Sequence, residues 1–380
     1  MTSNAPKPSP QYHPYPFYSP RFWHGMRMGT WFRLLADNRF RVHPTRWALA
    51  TTVTLAGPFN EAMRLAQKAI YGRRLDAQQL PAPPLFILGH WRSGTTLMHE
   101  LIAKDDRLGG PSTYQCFAPH HFLVSEWFFR SFGKWLLPSK RPMDNMEAGW
   151  DRPQEDEFAL MNLGVPSPYR RIAFPNETPP DLEYLDLADV PQEKRDEWLA
   201  ALHKFLLSVT LRKDQRLVLK SPTHTGRLRY LAEFYPGTKF IHMTRDPRSL
   251  FPSTCRLWPS LDHVQALQKP SSEVTPELEA YVIECLQRMY TAFERDIAHI
   301  DPEQIIHVRY EDLVADPVNK LAEIYETLKL DGFDDIRPTL QEWADSQHRE
   351  YKVNKHSLPP ETEARIRTEW ADYFERYGYA

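Results

Sequence analysis

The 380-residue sequence contains few cysteines and almost no net charge, and each shortage excludes a class of protein. The 3 cysteines, Cys116, Cys255 and Cys285, lie far apart, which excludes a disulfide framework and a cysteine metal site and predicts a reducing, cytoplasmic location. The formal net charge is −2. Because nucleic-acid-binding proteins usually carry an excess of positive charge, this balance argues against a nucleic-acid partner.

Long hydrophobic runs are also missing. The most apolar stretch, residues 47–57, is too short to span a bilayer and is interrupted by threonines. Residues 1–20 are polar, aromatic and rich in proline, and so do not resemble a secretory signal. The sequence therefore predicts a protein without a transmembrane helix or an export signal.

Residues 1–80 are predicted to form a proline-rich tail followed by a helical extension. Within it, residues 21–48 carry six arginines against one aspartate, a local net charge of +5, interleaved with Trp23, Met26, Phe32 and Leu35. One interpretation is a helix that lies peripherally on the anionic inner face of a membrane. The other is a helix that packs its apolar side chains on the protein and leaves its arginines in solvent.

Short apolar runs alternate with helical patterns over residues 81–333, which predicts an α/β domain with a mostly parallel sheet flanked by helices. The predicted strands are residues 85–88, 217–219, 239–243 and 304–308. Residues 110–190 show little strand pattern and are predicted to form an excursion over the sheet, on the side of an acceptor substrate. Residues 334–380 are predicted to form a C-terminal helical segment packed on the core.

A phosphate-binding loop is predicted directly after the first strand. The run Gly89-His-Trp-Arg-Ser-Gly-Thr-Thr96 follows an apolar strand and leads into a helical pattern. Unpaired N–H groups at a helix N-terminus bind anions, Gly94 allows close approach of the backbone, and Thr95 and Thr96 add hydroxyl donors. The two glycines have the spacing of the NTPase P-loop, but Thr95 stands where that motif requires lysine. The fold is therefore expected to be P-loop-like, without a triphosphate or a metal ion.

Three runs in this sequence resemble motifs of the sulfotransferases that use 3′-phosphoadenylyl sulfate as donor. Residues 92–97 (Arg-Ser-Gly-Thr-Thr-Leu) resemble the loop of that family for the 5′-phosphosulfate. Residues 242–253 resemble its 3′-phosphate motif, and residues 308–313 resemble a run on its later strand. The resemblance implies donor-binding roles, without a metal, for Arg92, Ser93, Gly94, Thr95, Thr96, Leu97, Arg245, Ser253 and Tyr310.

The catalytic candidates fall into two groups. Lys220 and His224 follow the second predicted strand, so they should stand at the same edge of the sheet as both phosphate motifs. Glu155 and Glu157 belong to an acidic run that precedes an apolar segment, where they would also suit the positive end of a helix. Sulfuryl transfer needs a general base, for which His224 and either glutamate are candidates, and a cation on the leaving phosphate, for which Arg92 is the candidate.

The resemblance implies a sulfotransferase that modifies a hydroxyl, or less readily an amine, of a small-molecule, glycan or lipid-like acceptor. Two alternatives remain open. A P-loop kinase or NTPase would bind ATP with Mg²⁺. A non-catalytic nucleotide-binding protein at a membrane surface would keep the loop without needing His224, Lys220 or an acidic base.

Overall fold

The computed structural model describes residues 15–138, 149–271, 273–347 and 358–380, so residues 1–14 of the predicted tail lie outside the described residues. At its centre is a five-stranded sheet of order β2-β3-β1-β4-β5, in which every pairing is parallel. The strands are β1 (Leu85–Leu88), β2 (Leu108–Gly109), β3 (Arg216–Lys220), β4 (Lys239–Thr244) and β5 (Ile305–Arg309). The predicted α/β class with a parallel sheet is confirmed.

Helices surround this sheet, and further helices precede the first strand and follow the last one. They are α1 (Met28–Asp37), α2 (Trp47–Asp76), α3 (Thr95–Ile102), α4 (Thr113–Phe117), α5 (Phe122–Phe132), α6 (Asp156–Leu163), α7 (Gln192–Thr210), α8 (Leu228–Phe234), α9 (Pro247–Gln265), α10 (Pro276–Asp296), α11 (Tyr310–Ala315), α12 (Pro317–Thr327), α13 (Phe333–Gln347), α14 (Pro360–Glu369) and α15 (Ala371–Arg376). Short 3-10 turns at Pro168–Ala173 and Pro222–Arg227 complete the part that forms the site.

The strands are buried on both faces because helices cover both sides of the sheet. Along β1, Phe86 and Leu88 belong to one hydrophobic cluster, while Leu85 and Ile87 belong to a second cluster on the opposite face. This alternation is the two-residue period of a strand. A strand buried on both faces is apolar at every position, which explains why β1 could be recognised as an unbroken apolar run.

The register of the sheet brings four chain segments to one edge. Ile87 pairs with Lys220, and Thr244 pairs with Arg309, so β1, β3, β4 and β5 end close together. The segments that leave these strands begin at Gly89, Ser221, Arg245 and Tyr310. In open parallel α/β folds the ligand binds at this carboxyl edge.

The excursion between β2 and β3 contains helices and 3-10 turns. Within the described part of residues 110–190, the only strand-like pairing is an isolated bridge between Ser112 and Pro153. The excursion also brings Glu155, Asp156 and Glu157, at the start of α6, close to the end of β3.

The N-terminal extension packs part of its apolar surface on the protein and leaves part exposed, including Phe40 and Trp47. Trp23, Met26 and Leu35 are buried in the main hydrophobic cluster, whereas Phe32 is 43 % exposed. Three of the four apolar side chains that the sequence analysis names in residues 21–48 are therefore not available to a membrane, which favours the second interpretation for them.

Helix α2 is longer than the sequence predicts. It continues through Pro58 and includes the apolar stretch 47–57, whereas the sequence pattern predicts a helix only over residues 58–75. None of the helices in the described ranges combines the length and the apolar character that crossing a bilayer requires.

The C-terminal residues close over the main cluster. Trp370 and Phe374 are buried, and the indole of Trp370 donates a hydrogen bond to the carbonyl of Ile283 in α10. The single helix predicted over residues 360–377 is instead two, because the chain breaks at Trp370 between α14 and α15.

Candidate active site

The phosphate loop, residues 89–97, connects β1 to α3 in a tightly confined path. The N–H of Gly89 donates to Thr225 Oγ1 at 2.8 Å. Gly94 has φ +97°, and a Cβ added there would collide with the ring of Tyr310. Both the backbone conformation and the space therefore require glycine at position 94.

This loop has the features of an anion site. Gly94 caps α3 in the left-handed conformation, so the first N–H groups of the helix are not covered by a capping side chain. Ser93 Oγ is buried and has no hydrogen-bond partner among the described residues. A buried hydroxyl without a partner is costly, and an anion in the loop would satisfy it. The residues present therefore fit a bound phosphate or phosphosulfate.

The second phosphate motif lies against the first. Arg92 Nε donates to Ser253 Oγ at 3.0 Å, and Arg245 Nη1 donates to the Arg92 carbonyl at 2.9 Å. The guanidinium of Arg245 also lies 4.4 Å from the ring centre of Tyr310, a cation–π contact. The structure thus brings together four of the predicted donor-binding residues from three separate segments of the chain.

Helix α9 begins where this arrangement needs it to begin. Asp246 caps the helix by accepting a hydrogen bond from the N–H of Arg248, and Pro247 occupies the first helical turn. Arg245 therefore lies before the helix and Ser253 lies within it, so both side chains reach Arg92.

Three consecutive acidic residues pair with three basic residues at and after the end of β3, and we name this set the carboxylate ladder. Glu155 Oε1 accepts from Lys220 Nζ at 2.6 Å. The next residue, Asp156, pairs with His224 Nε2 at 2.6 Å. Glu157 Oε2 accepts from Arg227 Nη1 at 2.6 Å.

Two rungs of the ladder are sealed from solvent. The side chains of Asp156, Glu157, His224 and Arg227 have no exposed surface. Burial alone would raise the pKa of Asp156, but the charge and hydrogen bond of His224 together with the hydrogen bond from Ser221 lower that pKa. Burial would likewise raise the pKa of Glu157, but Arg227, the charge of His224 and the hydrogen bond from Ser167 together lower it. Both carboxylates are therefore held ionised by partners inside the protein.

The Glu155–Lys220 rung differs, because it reaches the edge of the buried region and connects to the phosphate loop. The Glu155 side chain is 13 % exposed. Its second oxygen accepts a hydrogen bond from the hydroxyl of Tyr169, which in turn accepts from Trp91 Nε1 at 2.9 Å. Burial and the charge of Glu155 raise the pKa of Tyr169, so its hydroxyl stays protonated and can donate.

A cleft of about 990 Å³ lies beside α3 and the edge strand β2. Its lining includes His99, Arg130, Lys134, Trp150 and Pro153, the last only two residues before Glu155. Burial, followed by the positive charge of Lys220, lowers the pKa of His99 to about 3, so this imidazole is neutral. Among the described residues, no cluster of three or more His, Cys, Asp or Glu side chains could hold a metal ion.

Sequence reasoning identified most of these positions but not their grouping. It missed Tyr169, Asp156 and His99. Asp156 stands between two candidates and could have been found from the acidic run itself, whereas Tyr169 and His99 carry no local signal. His224 follows β3 at the sheet edge, where it is fully buried between Phe86 and Trp198, with ring centres 5.3 and 6.1 Å away.

Comparison with known proteins gives a consistent result. A family model described as "Sulfotransferase family" matches residues 83–335. The chain is 40% identical over 357 residues, 94% of this chain and 91% of the relative, to the omega-hydroxy-beta-dihydromenaquinone-9 sulfotransferase Stf3 of Mycobacterium bovis and of Mycobacterium tuberculosis.

Two solved structures share the fold. Sulfotransferase STF9 from Mycobacterium avium superposes with a TM-score of 0.62 at 18% identity, covering 93% of this chain and 96% of that chain. Sulfotransferase STF1 from Mycobacterium tuberculosis superposes with a TM-score of 0.55 at 17% identity, covering 94% of each chain.

Proposed function

The chain belongs to the sulfotransferase family, and from that premise we propose that it moves a sulfuryl group from 3′-phosphoadenylyl sulfate to a hydroxyl of a menaquinone-like lipid. Family membership decides against the kinase and the non-catalytic alternatives. The acceptor class is the one named for the relative that is 40% identical over most of both chains.

The observation that carries the donor assignment is the contact between the two phosphate motifs through Arg92, Ser253 and Arg245. We assign the 5′-phosphosulfate to the loop and the 3′-phosphate to Arg245 and Ser253, with Tyr310 beside the nucleoside. Backbone N–H groups, the Ser93 hydroxyl and two guanidinium groups supply the charge and hydrogen bonds that such a ligand needs. The loop residues of this assignment are Arg92, Ser93, Gly94, Thr95, Thr96 and Leu97.

We propose Glu155 as the general base, in preference to His224 and Glu157. A base must reach the proton that it removes, and the two sealed rungs of the ladder have no exposed surface. Glu155 has some exposure, and Tyr169 and Trp91 connect it to the phosphate loop. His224 and Glu157 are then assigned a structural role.

The remaining residues divide the chemistry. In the donor, one oxygen bridges the phosphate and the sulfuryl group. That oxygen stays on the phosphate and gains negative charge as the phosphate leaves. Arg92 is assigned to that leaving phosphate, and Lys220 to the charge that develops on the transferred group. Glu155 accepts the acceptor hydroxyl proton once its pairing with Lys220 has loosened. Tyr169, by donating to Glu155, keeps the carboxylate oriented.

The cleft supports a lipid-like acceptor. Its volume of about 990 Å³ leaves room for part of a lipid chain, and its lining includes Pro153, two residues before Glu155. Its lining also includes apolar side chains, Leu108, Leu137, Trp150 and Trp343. We further propose a reducing, cytoplasmic location, because the three cysteines are buried free thiols. We also propose that the reaction proceeds without a metal ion.

A transfer assay with radiolabelled donor tests this function. A terminally hydroxylated menaquinone should become labelled, while the same quinone without the hydroxyl should not. In EDTA, 3′-phosphoadenosine 5′-phosphate should raise the melting temperature, and Mg-ATP should have little effect. Labelling of glycans or small phenols instead would overturn the acceptor, and stronger stabilisation by Mg-ATP would overturn the donor.

A further inference from the structure

Large aromatic side chains that ought to be buried lie exposed on and beside α5. Trp127 is 69% and Trp135 66% exposed, and Phe128 and Phe132 are more than half exposed. Tyr18, from the N-terminal segment, lies 5.7 Å from the ring of Trp135, and its neighbour Phe17 is also exposed. We name these six residues the aromatic surface: Phe17, Tyr18, Trp127, Phe128, Phe132 and Trp135.

The adjoining helix continues the apolar character. Phe59 of α2 packs edge-on against His121, the residue before α5, with ring centres 5.8 Å apart. The exposed side of α2 carries Leu55, Phe59, Leu65 and Ile70. Exposed rings in mutual contact, as Phe132 is with Trp127 and with Phe128, mark an interaction site.

The charge of this region indicates the partner. Residues 127–138 contain no acidic residue, while Arg130 and Lys134 are exposed among the aromatic rings. Aromatic rings interleaved with cations suit the interface of an anionic bilayer, where rings enter the headgroup region and cations meet lipid phosphates. A second copy of this chain fits less well, because a twofold contact would bring the cations of both copies together.

The same segment forms one wall of the cleft. Arg130, Ser131, Lys134 and Leu137 all line it, and they alternate along the chain with Phe132 and Trp135 of the aromatic surface. A bilayer at the aromatic surface would therefore lie next to the cleft, and a lipid could pass between them without crossing water.

We propose that the aromatic surface docks on an anionic lipid bilayer and holds the cleft against it. Within residues 21–48, Trp23, Met26 and Leu35 are buried and therefore take no part in this contact. Docking itself does not depend on the identity of the acceptor. Only its purpose, delivery of a lipid to the cleft, rests on the proposed function.

Co-sedimentation of the full chain with vesicles tests the proposal without substrates. Wild type should bind phosphatidylglycerol–phosphatidylcholine vesicles at low salt. Burial of one aromatic ring favours binding by about tenfold or more, so the double variant Trp127→Ser, Trp135→Ser should bind about a hundredfold more weakly. The control is Phe234→Ser on α8, an aromatic 39% exposed outside the surface, which should bind like wild type.

A second pair of variants tests the charge. Arg130→Gln with Lys134→Gln should lose about thirtyfold on phosphatidylglycerol vesicles and almost nothing on phosphatidylcholine alone. Lys320→Gln with Lys329→Gln on and after α12 is the matched control. Melting temperatures verify that all variants fold.

Two results would overturn the proposal. One is absence of wild-type binding to anionic vesicles at low salt. The other is a dimer in sedimentation velocity that the Trp127→Ser, Trp135→Ser variant dissociates, which would make the surface a self-association face. Because no sulfuryl transfer is measured, failure of the transfer assay leaves these outcomes unchanged.

Discussion

The phosphate loop and the carboxylate ladder lie at the same edge of the sheet, yet they treat their polar groups in opposite ways. In the loop, Ser93 Oγ is buried without a partner in the described chain, and the N-terminus of α3 has no capping side chain. In the ladder, Glu157 accepts hydrogen bonds from Arg227, Ser167 and Thr223. A polar group left unmatched by the protein is one that a ligand can match, whereas a fully matched group stabilises the fold.

Within the ladder the same contrast recurs over three residues. Glu155 is the rung with some exposure, and Asp156 and Glu157 are sealed. Chemical type alone would make all three carboxylates equal candidates. Burial separates them, and the predictions below test whether that separation is also one of function.

The largest effect is expected from Glu155→Gln. Loss of a general base should lower turnover by about 10²–10⁴-fold while the affinity for 3′-phosphoadenosine 5′-phosphate stays near that of wild type. Steady-state kinetics and calorimetry measure the two quantities. A His224→Asn variant that folds normally but lacks turnover would return the role of base to the imidazole.

Glu157→Gln should instead act on stability. It leaves the buried guanidinium of Arg227 without its counter-charge, which costs about 3–5 kcal/mol of the free energy of unfolding. Urea denaturation measures the loss. The matched control is Glu233→Gln in the exposed pair with Arg229, where the change should stay within about 1 kcal/mol. If Glu157→Gln were as stable as the control but inactive, the contrast within the ladder would fail.

Much of the sheet and both phosphate motifs could be predicted because their signals are local. The strand β1 is a run of four apolar residues after a proline, and the loop is marked by the spacing of Gly89 and Gly94. The strand β2 could not be predicted, since Leu108–Gly109 is too short to show a period. Helix α9 was not predicted either, because Pro252 and Pro259 disfavour a helix locally and only burial of its apolar face holds it.

The pairing of the ladder was beyond the sequence for a different reason. Glu155 and Lys220 are 65 residues apart, and Glu157 and Arg227 are 70 apart, with no pattern that links them. The acidic run alone is explained equally well by the positive end of α6. The choice among His224, Glu155 and Glu157 depends on exposure, which only the tertiary structure provides.

Gly94→Ala tests the loop by space and conformation together. The left-handed backbone costs a non-glycine residue about 1–2 kcal/mol, and the added Cβ would displace Tyr310. Donor affinity should fall at least about tenfold. Gly29→Ala in α1 is the control, because no atom lies within 4 Å of the added Cβ and helical alanine should stabilise the protein slightly. Equal donor affinity in both variants would contradict the requirement for glycine at position 94 of the phosphate loop.

Acidification should lower the stability of the folded protein through its buried histidines. Burial lowers the pKa of His99 and of His120 to about 3, below the value of about 6.5 expected in the unfolded chain. The unfolded state then binds more protons between these values. The free energy of unfolding should therefore fall as pH drops below 6.5, by up to about 1.4 kcal/mol per pH unit for each histidine.

Substitution isolates one contribution to that slope. His120→Gln should make the loss of stability between pH 6.5 and 4 shallower, whatever its effect at neutral pH. His299→Gln, at an exposed position, should leave the slope of wild type. Chemical denaturation at several pH values measures both, and identical slopes for His120→Gln and wild type would contradict the neutral, buried state of this imidazole.

The smallest effect is expected from Ser253→Ala, and it asks whether the loop and the second motif hold one ligand. One neutral hydrogen bond contributes about 1 kcal/mol, so affinity for 3′-phosphoadenosine 5′-phosphate should fall roughly fivefold. Arg245→Ala, which removes a charge, should cost more. The comparison ligand is adenosine 5′-phosphate, which lacks the 3′-phosphate. If Ser253 contacts that group, the variant and wild type should bind adenosine 5′-phosphate equally in calorimetry. If both ligands lose affinity alike, Ser253 acts by positioning Arg92, whose Nε donates a hydrogen bond to Ser253 Oγ at 3.0 Å. The assignment of the 3′-phosphate site would then rest on Arg245 alone.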